Sequence, residues 1–239
     1  MDKIRLPVLD ERMLLIASQV RDGAVVADIG TDHGYVPIYL VGSGFCPRAV
    51  ATDINSKPLG TARTNAEKYG VGDKITFILS DGMRGFDPAR YGVTDVLICG
   101  MGGELIASII GATDFPKTPG VRLILQPMSS VPELRGYLYT MGYDVKSEKL
   151  CRSGDKIYTA IVAEYDGVSR ELTDAELYLG VDIGSEESDE YLNEFLTRTA
   201  AKLRVQSEGR KKGGLDAGRE EALLAEVFAI AKARGFELK

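Results

Sequence analysis

The chain has one histidine, His33, and only three cysteines, Cys46, Cys99 and Cys151, among its 239 residues. An odd, widely spaced set with no CxxC pair and a single histidine excludes the familiar zinc patterns, and no metal site is expected. Any Ser-His-Asp or Cys-His mechanism would have to run through His33 alone. Each cysteine stands among apolar neighbours, where a small buried hydrophobe is expected rather than a reactive thiol. Apolar runs of the roughly 18 to 20 residues needed to cross a bilayer are missing too. The opening MDKIRLPVLDERMLL lacks the unbroken apolar stretch and small-residue cleavage site of a signal peptide, so a cytoplasmic protein without membrane attachment is expected. Proline is scarce, nine residues against 27 glycines, and the chain is 44% hydrophobic and 27% charged. That balance excludes collagen and disorder, and the length fits one large domain with a smaller appendage.

The net charge is −6, unevenly spread: residues 1–165 carry −1, residues 166–194 carry −9 and residues 195–239 carry +4. The sharpest stretch holds Arg198, Lys202, Arg204, Arg210, Lys211, Lys212 and Arg219, opposed within it only by Glu208 and Asp216. An acidic chain with one basic projection suits an anionic partner touching that projection, although a solvated helical hairpin with a charged face would read the same way.

Up to about residue 165, the β-rich runs AVVADIG, RAVATDI, KITFILS, VTDVLICG and VRLILQP alternate with helical patterns. This is the pattern of βαβ units in a parallel sheet. A helix is expected to start near Ser56-Lys57-Pro58 and stop at Gly70, and another to run from about Val131 to Gly142. YDVKSEKLCR and KIYTAIVAEY, joined by Ser153, Gly154 and Asp155, read as a hairpin added to the sheet. Five parallel strands plus a terminal antiparallel hairpin form the strand inventory of an α/β, class I methyltransferase Rossmann-like sheet. After Asp166 the period turns helical. Tyr191, Leu192, Phe195, Leu196, Thr199 and Leu203 form one stripe, and Leu223, Leu224, Val227, Phe228 and Ile230 form another, with Gly213-Gly214 between. Residues 166–239 are therefore expected to be a C-terminal α-helical, coiled-coil-like domain, its first long helix spanning about residues 188–211.

The most informative segment is AVVADIGTDHGYVPIYL. A strand ending at Asp28 leads through Ile29, Gly30, Thr31, Asp32, His33 and Gly34 into a helix, and a glycine-rich turn there admits a ligand to the backbone N–H groups. The spacing Asp-x-Gly-x-x-x-Gly differs from the pyrophosphate-binding G-x-G-x-x-G fingerprint. A carboxylate at Asp28 would repel phosphate and suit a cation. S-adenosylmethionine, with its ammonium and sulfonium and no phosphate, fits better than NAD. Asp53 ends the second strand, where a carboxylate accepts from ribose hydroxyls. Asp81 and Gly82 end the third. Singly, each acid reads equally as a cap or turn residue; together they border one crevice.

With DIGTDHGY, CGMGGELI and LILQP in view, the sequence resembles the bacterial tRNA adenine-N1 methyltransferases of the TrmK family, which modify adenine 22. The resemblance spans nearly the whole chain, from RLPVLDERMLLIASQV to the helical C-terminal part, and DIGTDHGY with GMGG is its specific core. It implies methyl transfer from S-adenosylmethionine to a ring nitrogen of adenine in tRNA, with Asp32 matching the family's catalytic aspartate and His33 adjoining it. Where the family has Gln-Pro-Asn after the fifth strand, this chain has Gln126, Pro127 and Met128, one polar side chain fewer.

Read for chemistry, the turn Gly100-Met101-Gly102-Gly103 offers close backbone approach and a soft thioether but no carboxylate. Adenine N1 has an in-plane lone pair and no hydrogen, so it needs positioning more than deprotonation. Asp32 is placed to balance the charge that alkylation leaves on the base or to accept from the adenine amino group. It would otherwise cap the next helix. His33 either holds substrate or Asp32 or packs in the turn, and Tyr35 is the nearest aromatic for stacking a base. Asn65, Tyr69 and Arg63 are polar groups without an assigned duty. Gln126 and Pro127 are expected at the substrate. The basic stretch would supply a second hold on folded RNA.

Overall fold

The computed structural model describes residues 6–181 and 191–238. Strands β1 (Val26–Ile29), β2 (Ala49–Asp53), β3 (Ile75–Leu79), β4 (Asp95–Gly102) and β5 (Arg122–Ser129) are parallel. The hairpin β6 (Tyr143–Ser153) and β7 (Lys156–Tyr165) completes one sheet in the order β3-β2-β1-β4-β5-β7-β6. The hairpin turns at Gly154 and Asp155, with Gly154 at φ +59°. Its second strand is the one that pairs, antiparallel, with β5.

Strands buried on both faces read as continuous apolar runs rather than alternating ones. Val96, Leu97 and Ile98 of β4 and Leu123, Ile124 and Leu125 of β5 are all fully enclosed. Helices α1 (Glu11–Ser18), α2 (Tyr35–Gly42), α3 (Ser56–Lys68), α4 (Gly103–Gly111) and α5 (Val131–Thr140) cover the two faces. Asp10 caps α1 by accepting from the Met13 N–H at 2.7 Å. Positive φ at Gly70 and Gly142 stops the chain's run after α3 and α5, as the sequence predicts.

Some boundaries differ from the sequence reading. β1 continues through Ile29, one residue past Asp28, because Ile29 still pairs with Thr52 and Ile98. β3 ends at Leu79, so Asp81 and Gly82 lie in the turn beyond it. β4 runs on through Gly102, paired with β5 across two irregularities, so Gly100-Met101-Gly102 is a bulged strand end rather than a free turn. Such bulges re-aim side chains at the rim of a sheet.

Beyond the sheet lie α6 (Asp174–Leu179), α7 (Leu192–Lys212) and α8 (Gly218–Ala233). The part of the predicted long helix over residues 188–190 falls outside the described residues. At 21 residues α7 is about 32 Å long. Arg204 lies over Phe228, Arg210 meets Glu220 and Lys211 meets Glu221, a register that makes the two helices antiparallel. Leu192, Leu196, Ala200 and Leu203 pack on Leu223, Val227 and Ala231 to give them a core of their own. Arg135 of α5, 2% exposed, ties this part to the sheet: it pairs with Glu148 of β6 at 2.7 Å and donates to the carbonyls of Leu177 and Tyr178 in α6 at 2.7 and 3.0 Å. Those two carbonyls belong to the last turn of α6, which has no internal donors for them.

Among the described residues no helix is long and apolar enough to cross a membrane. No group of three or more His, Cys, Asp or Glu side chains among them is arranged to hold a metal ion. Burial pushes the Cys46 thiol up to about 12 and the Cys99 thiol well above its ordinary value, which keeps both protonated.

Candidate active site

The carboxyl ends of β1, β2, β4 and β5 meet at one edge of the sheet, where open α/β folds bind ligands. The first turn is strapped to β2 by Gly30 N–H and Thr31 N–H, which both donate to the Thr52 carbonyl at 2.8 and 2.7 Å. Gly30 sits at φ +79°, and a Cβ there would collide with Cε of Met101. The irregular end of β4 thus lays a thioether across the turn after β1. Gly34, at φ +70°, is the N-cap of α2, and a Cβ on it would press on Ala62 of α3. Asn65 of α3 donates from Nδ2 to the His33 carbonyl at 2.9 Å, so the turn is also held from the helix side.

Asp28 and Asp53 sit side by side on adjacent strand ends. Burial pushes the Asp28 carboxyl up to about 6; the Thr31 hydroxyl opposes that rise and the Asp53 charge adds to it. Asp53 accepts from the Asn55 N–H at 2.7 Å and keeps part of its carboxylate accessible. Ile54 beside it is 63% exposed, an apolar face that the sequence reading passed over. Asp81 is exposed and pairs with Arg84 at 2.9 Å, and the Ser80 hydroxyl donates to the Gly82 carbonyl at 2.8 Å. The three acids therefore stand at or just beyond the carboxyl ends of the neighbouring strands β1, β2 and β3.

Asp32 does not cap α2, because Gly34 occupies that position without a side-chain bond. Its carboxylate is 72% exposed and stands 3.2 Å from Nε2 of His33. The His33 ring in turn stacks on Tyr35, with centroids 5.4 Å apart and planes 16° from parallel. An open carboxylate with an aromatic pair beside it is chemically suited to a flat base bearing an amino group.

Over β4, β5 and β7 the sequence reading named Gly100, Met101, Gly102, Gln126 and Pro127 but missed Arg12. Gln126 and Pro127, expected at the substrate, are both buried. The Gln126 amide is committed inside the protein: Oε1 accepts from Gly100 N–H at 3.2 Å and from Arg12 Nη1 at 3.0 Å, and Nε2 donates to the Pro127 carbonyl at 2.9 Å. Beside it stand the exposed Met128 and the half-buried Arg12 of α1, whose guanidinium also lies 5.6 Å from the Tyr158 ring centroid. No local signal marks Arg12, since its partner Gln126 is 114 positions away.

A family profile described as a methyltransferase domain matches residues 9–161. The tRNA (adenine(22)-N(1))-methyltransferase of Bacillus subtilis is 36% identical over 169 residues, 67% of this chain and 70% of that one. The TrmK structure from M. capricolum, solved with S-adenosyl-homocysteine, has a TM-score of 0.72 and 27% identity, covering 96% of this chain and 97% of the other. The chain belongs to the TrmK methyltransferase family. A Streptococcus pneumoniae structure solved with S-adenosyl-L-methionine is also similar, with a TM-score of 0.79 and 30% identity over 92% of this chain and 99% of that one. Met128, where the resemblance implies an asparagine, has its Sδ 3.8 Å from Arg12 Nη1 and 3.6 Å from Gln126 Nε2. At this rim the chain presents a soft thioether rather than a hydrogen-bonding side chain.

The basic stretch is less free than its composition implies. Arg198 pairs with Glu194, Arg210 with Glu220, Lys211 with Glu221 and Lys212 with Glu208, while Arg219 pairs with Asp174. Three of those five partners come from α8 or α6 rather than from α7 itself. Lys202 is exposed, and Arg204 lies 5.2 Å over the Phe228 ring.

Proposed function

We propose that this chain transfers a methyl group from S-adenosylmethionine to N1 of adenine 22 in bacterial tRNA, acting in the cytoplasm. The observation that carries the reading is the 36% identity to the Bacillus subtilis enzyme of that name over 169 residues, 67% of this chain. The donor set agrees with the cofactor. Carboxylates at the ends of β1 and β2 oppose a pyrophosphate and favour an ammonium and ribose hydroxyls.

When bound, S-adenosylmethionine supplies a methyl group on a positively charged sulfur, an electrophile that needs no metal or base. Asp28 would hold its ammonium, Asp53 its ribose hydroxyls, and Asp81 with Gly82 its adenine ring. Gly30, Gly34 and the Gly100-Met101-Gly102 segment give the backbone close approach. On the substrate side, Asp32 accepts from the amino group of the target base and balances the positive charge that the base acquires. His33 and Tyr35 provide the stacking face, and His33 keeps Asp32 in place. No proton has to leave N1, so positioning carries the catalysis.

Residues 1–165 form the catalytic domain in this reading, and residues 166–239 the appendage that holds the RNA at a distance from the flipped base. Arg198, Lys202, Arg204, Arg210, Lys211 and Lys212 supply that hold, with α8 carboxylates tempering it. The test is transfer of labelled methyl to unmodified tRNA transcripts with adenine at position 22, beside transcripts with guanine there. Label in the adenine transcripts alone is expected; label in neither would overturn the assignment.

A further inference from the structure

Arg12 makes no ion pair among the described residues. Its Nη1 is held by Gln126 and approaches Met128, its guanidinium lies against Tyr158, and Nε and Nη2 make no hydrogen bond among the described residues. No described carboxylate lies within ion-pair distance of it. Gln126 is 1% exposed and fixed by Gly100 N–H and the Pro127 carbonyl, so it presents Oε1 to Arg12 in one orientation. The guanidinium is thus positioned by the protein and left with an unused donor edge.

Its location decides what that edge meets. Asp28, Asp53 and Asp81 line the β1-β2-β3 side, and Asp32 stands open on the turn after β1. A phosphodiester is repelled by that side. Arg12 lies on the opposite side, over β4, β5 and β7, where a Cβ on Gly100 would come 3.7 Å from its Nη1. In the tRNA reading the base stands against Asp32 and the His33-Tyr35 pair, and Arg12 is the group with unused donors away from the three acids. Arginine's fork matches phosphate oxygens.

We infer that Arg12 anchors a phosphate flanking the target adenine, through the free Nε/Nη2 edge, and so seats the flipped nucleotide. The inference rests on the tRNA reading above. Its test uses the full chain and synthetic tRNA in which the linkage on either side of adenine 22 is replaced, one at a time, by a neutral methylphosphonate. Arg12→Ala should raise the KM for natural tRNA by about ten- to a hundredfold and lower the salt slope of binding by about one. Affinity for S-adenosylmethionine, measured by calorimetry without RNA, should stay unchanged.

On one of the two neutral-linkage RNAs, the wild type should lose the same factor and Arg12→Ala nothing more. Equal losses for Arg12→Ala on natural RNA and on both neutral RNAs would overturn the phosphate anchor. So would a fall in cofactor affinity with RNA affinity intact, which would assign the guanidinium to the methionine carboxylate. Arg12→Lys, which keeps the charge but not the fork, carries the same comparison if the alanine variant unfolds. Absence of label in wild-type reactions would instead defeat the tRNA reading itself, a separate outcome.

Discussion

Met101 lies across Gly30 so closely that a Cβ on the glycine would occupy the place of the methionine's Cε. The relationship joins the first strand's turn to the bulged end of β4 and leaves room there for hydrogen only. Gly30→Ala must therefore displace Met101 and also hold alanine at φ +79°. A stability loss of about 1–2 kcal/mol is expected, with at least a tenfold loss of cofactor affinity. Thermal unfolding and calorimetry on the variant measure the two effects.

Asp28 makes the site sensitive to pH. Its carboxyl is pushed up to about 6 in the fold from 3.8, so between those values the folded chain binds more protons than the unfolded one. Stability from this group consequently falls as pH rises from about 4 to 6 and is lowest above 6. Asp28→Asn should stabilise the cofactor-free protein at pH 7.5 by about 1–2 kcal/mol and lose that advantage near pH 4. Cofactor affinity of the wild type should rise through pH 6 as the carboxylate forms, and the Asn variant should show no such rise.

Asp32 caps nothing and is mostly exposed, so removing its charge leaves the fold alone. For Asp32→Asn we expect kcat for methyl transfer to fall about a hundredfold or more. Its melting temperature and cofactor affinity should match the wild type. A large drop in melting temperature would instead identify Asp32 as part of the turn's architecture.

Lys211 and Lys212 test the appendage. Reversing both to Glu should weaken tRNA binding about tenfold and leave cofactor affinity unchanged. The Lys211 partner Glu221 is half-exposed, so the stability cost stays below about 1 kcal/mol. Filter binding at two salt concentrations reads the loss, and unchanged RNA affinity would remove the helical hairpin from the footprint.

Arg135 is the joint between the sheet and the helical part. Arg135→Ala leaves the Glu148 charge without its partner and two α6 carbonyls without donors. A loss of about 3–5 kcal/mol is expected, with faster proteolysis between residues 166 and 191 than elsewhere in the chain.

Much of this protein was legible in its residues. The buried runs of β1, β4 and β5, the helix stops at Gly70 and Gly142, the turn at Gly154 and the acids at Asp28, Asp53 and Asp81 follow from local pattern. Periodicity, turn chemistry and strand ends are properties of neighbouring residues, and a reader of the sequence has them all. What only the tertiary structure decided lies between distant positions. Strand order and register brought Arg12 to Gln126, laid Met101 over Gly30, buried Gln126 and Pro127, and set α8 carboxylates against the basic stretch. Those relationships depend on which elements pack side by side, and composition and spacing along the chain do not encode them in any local segment.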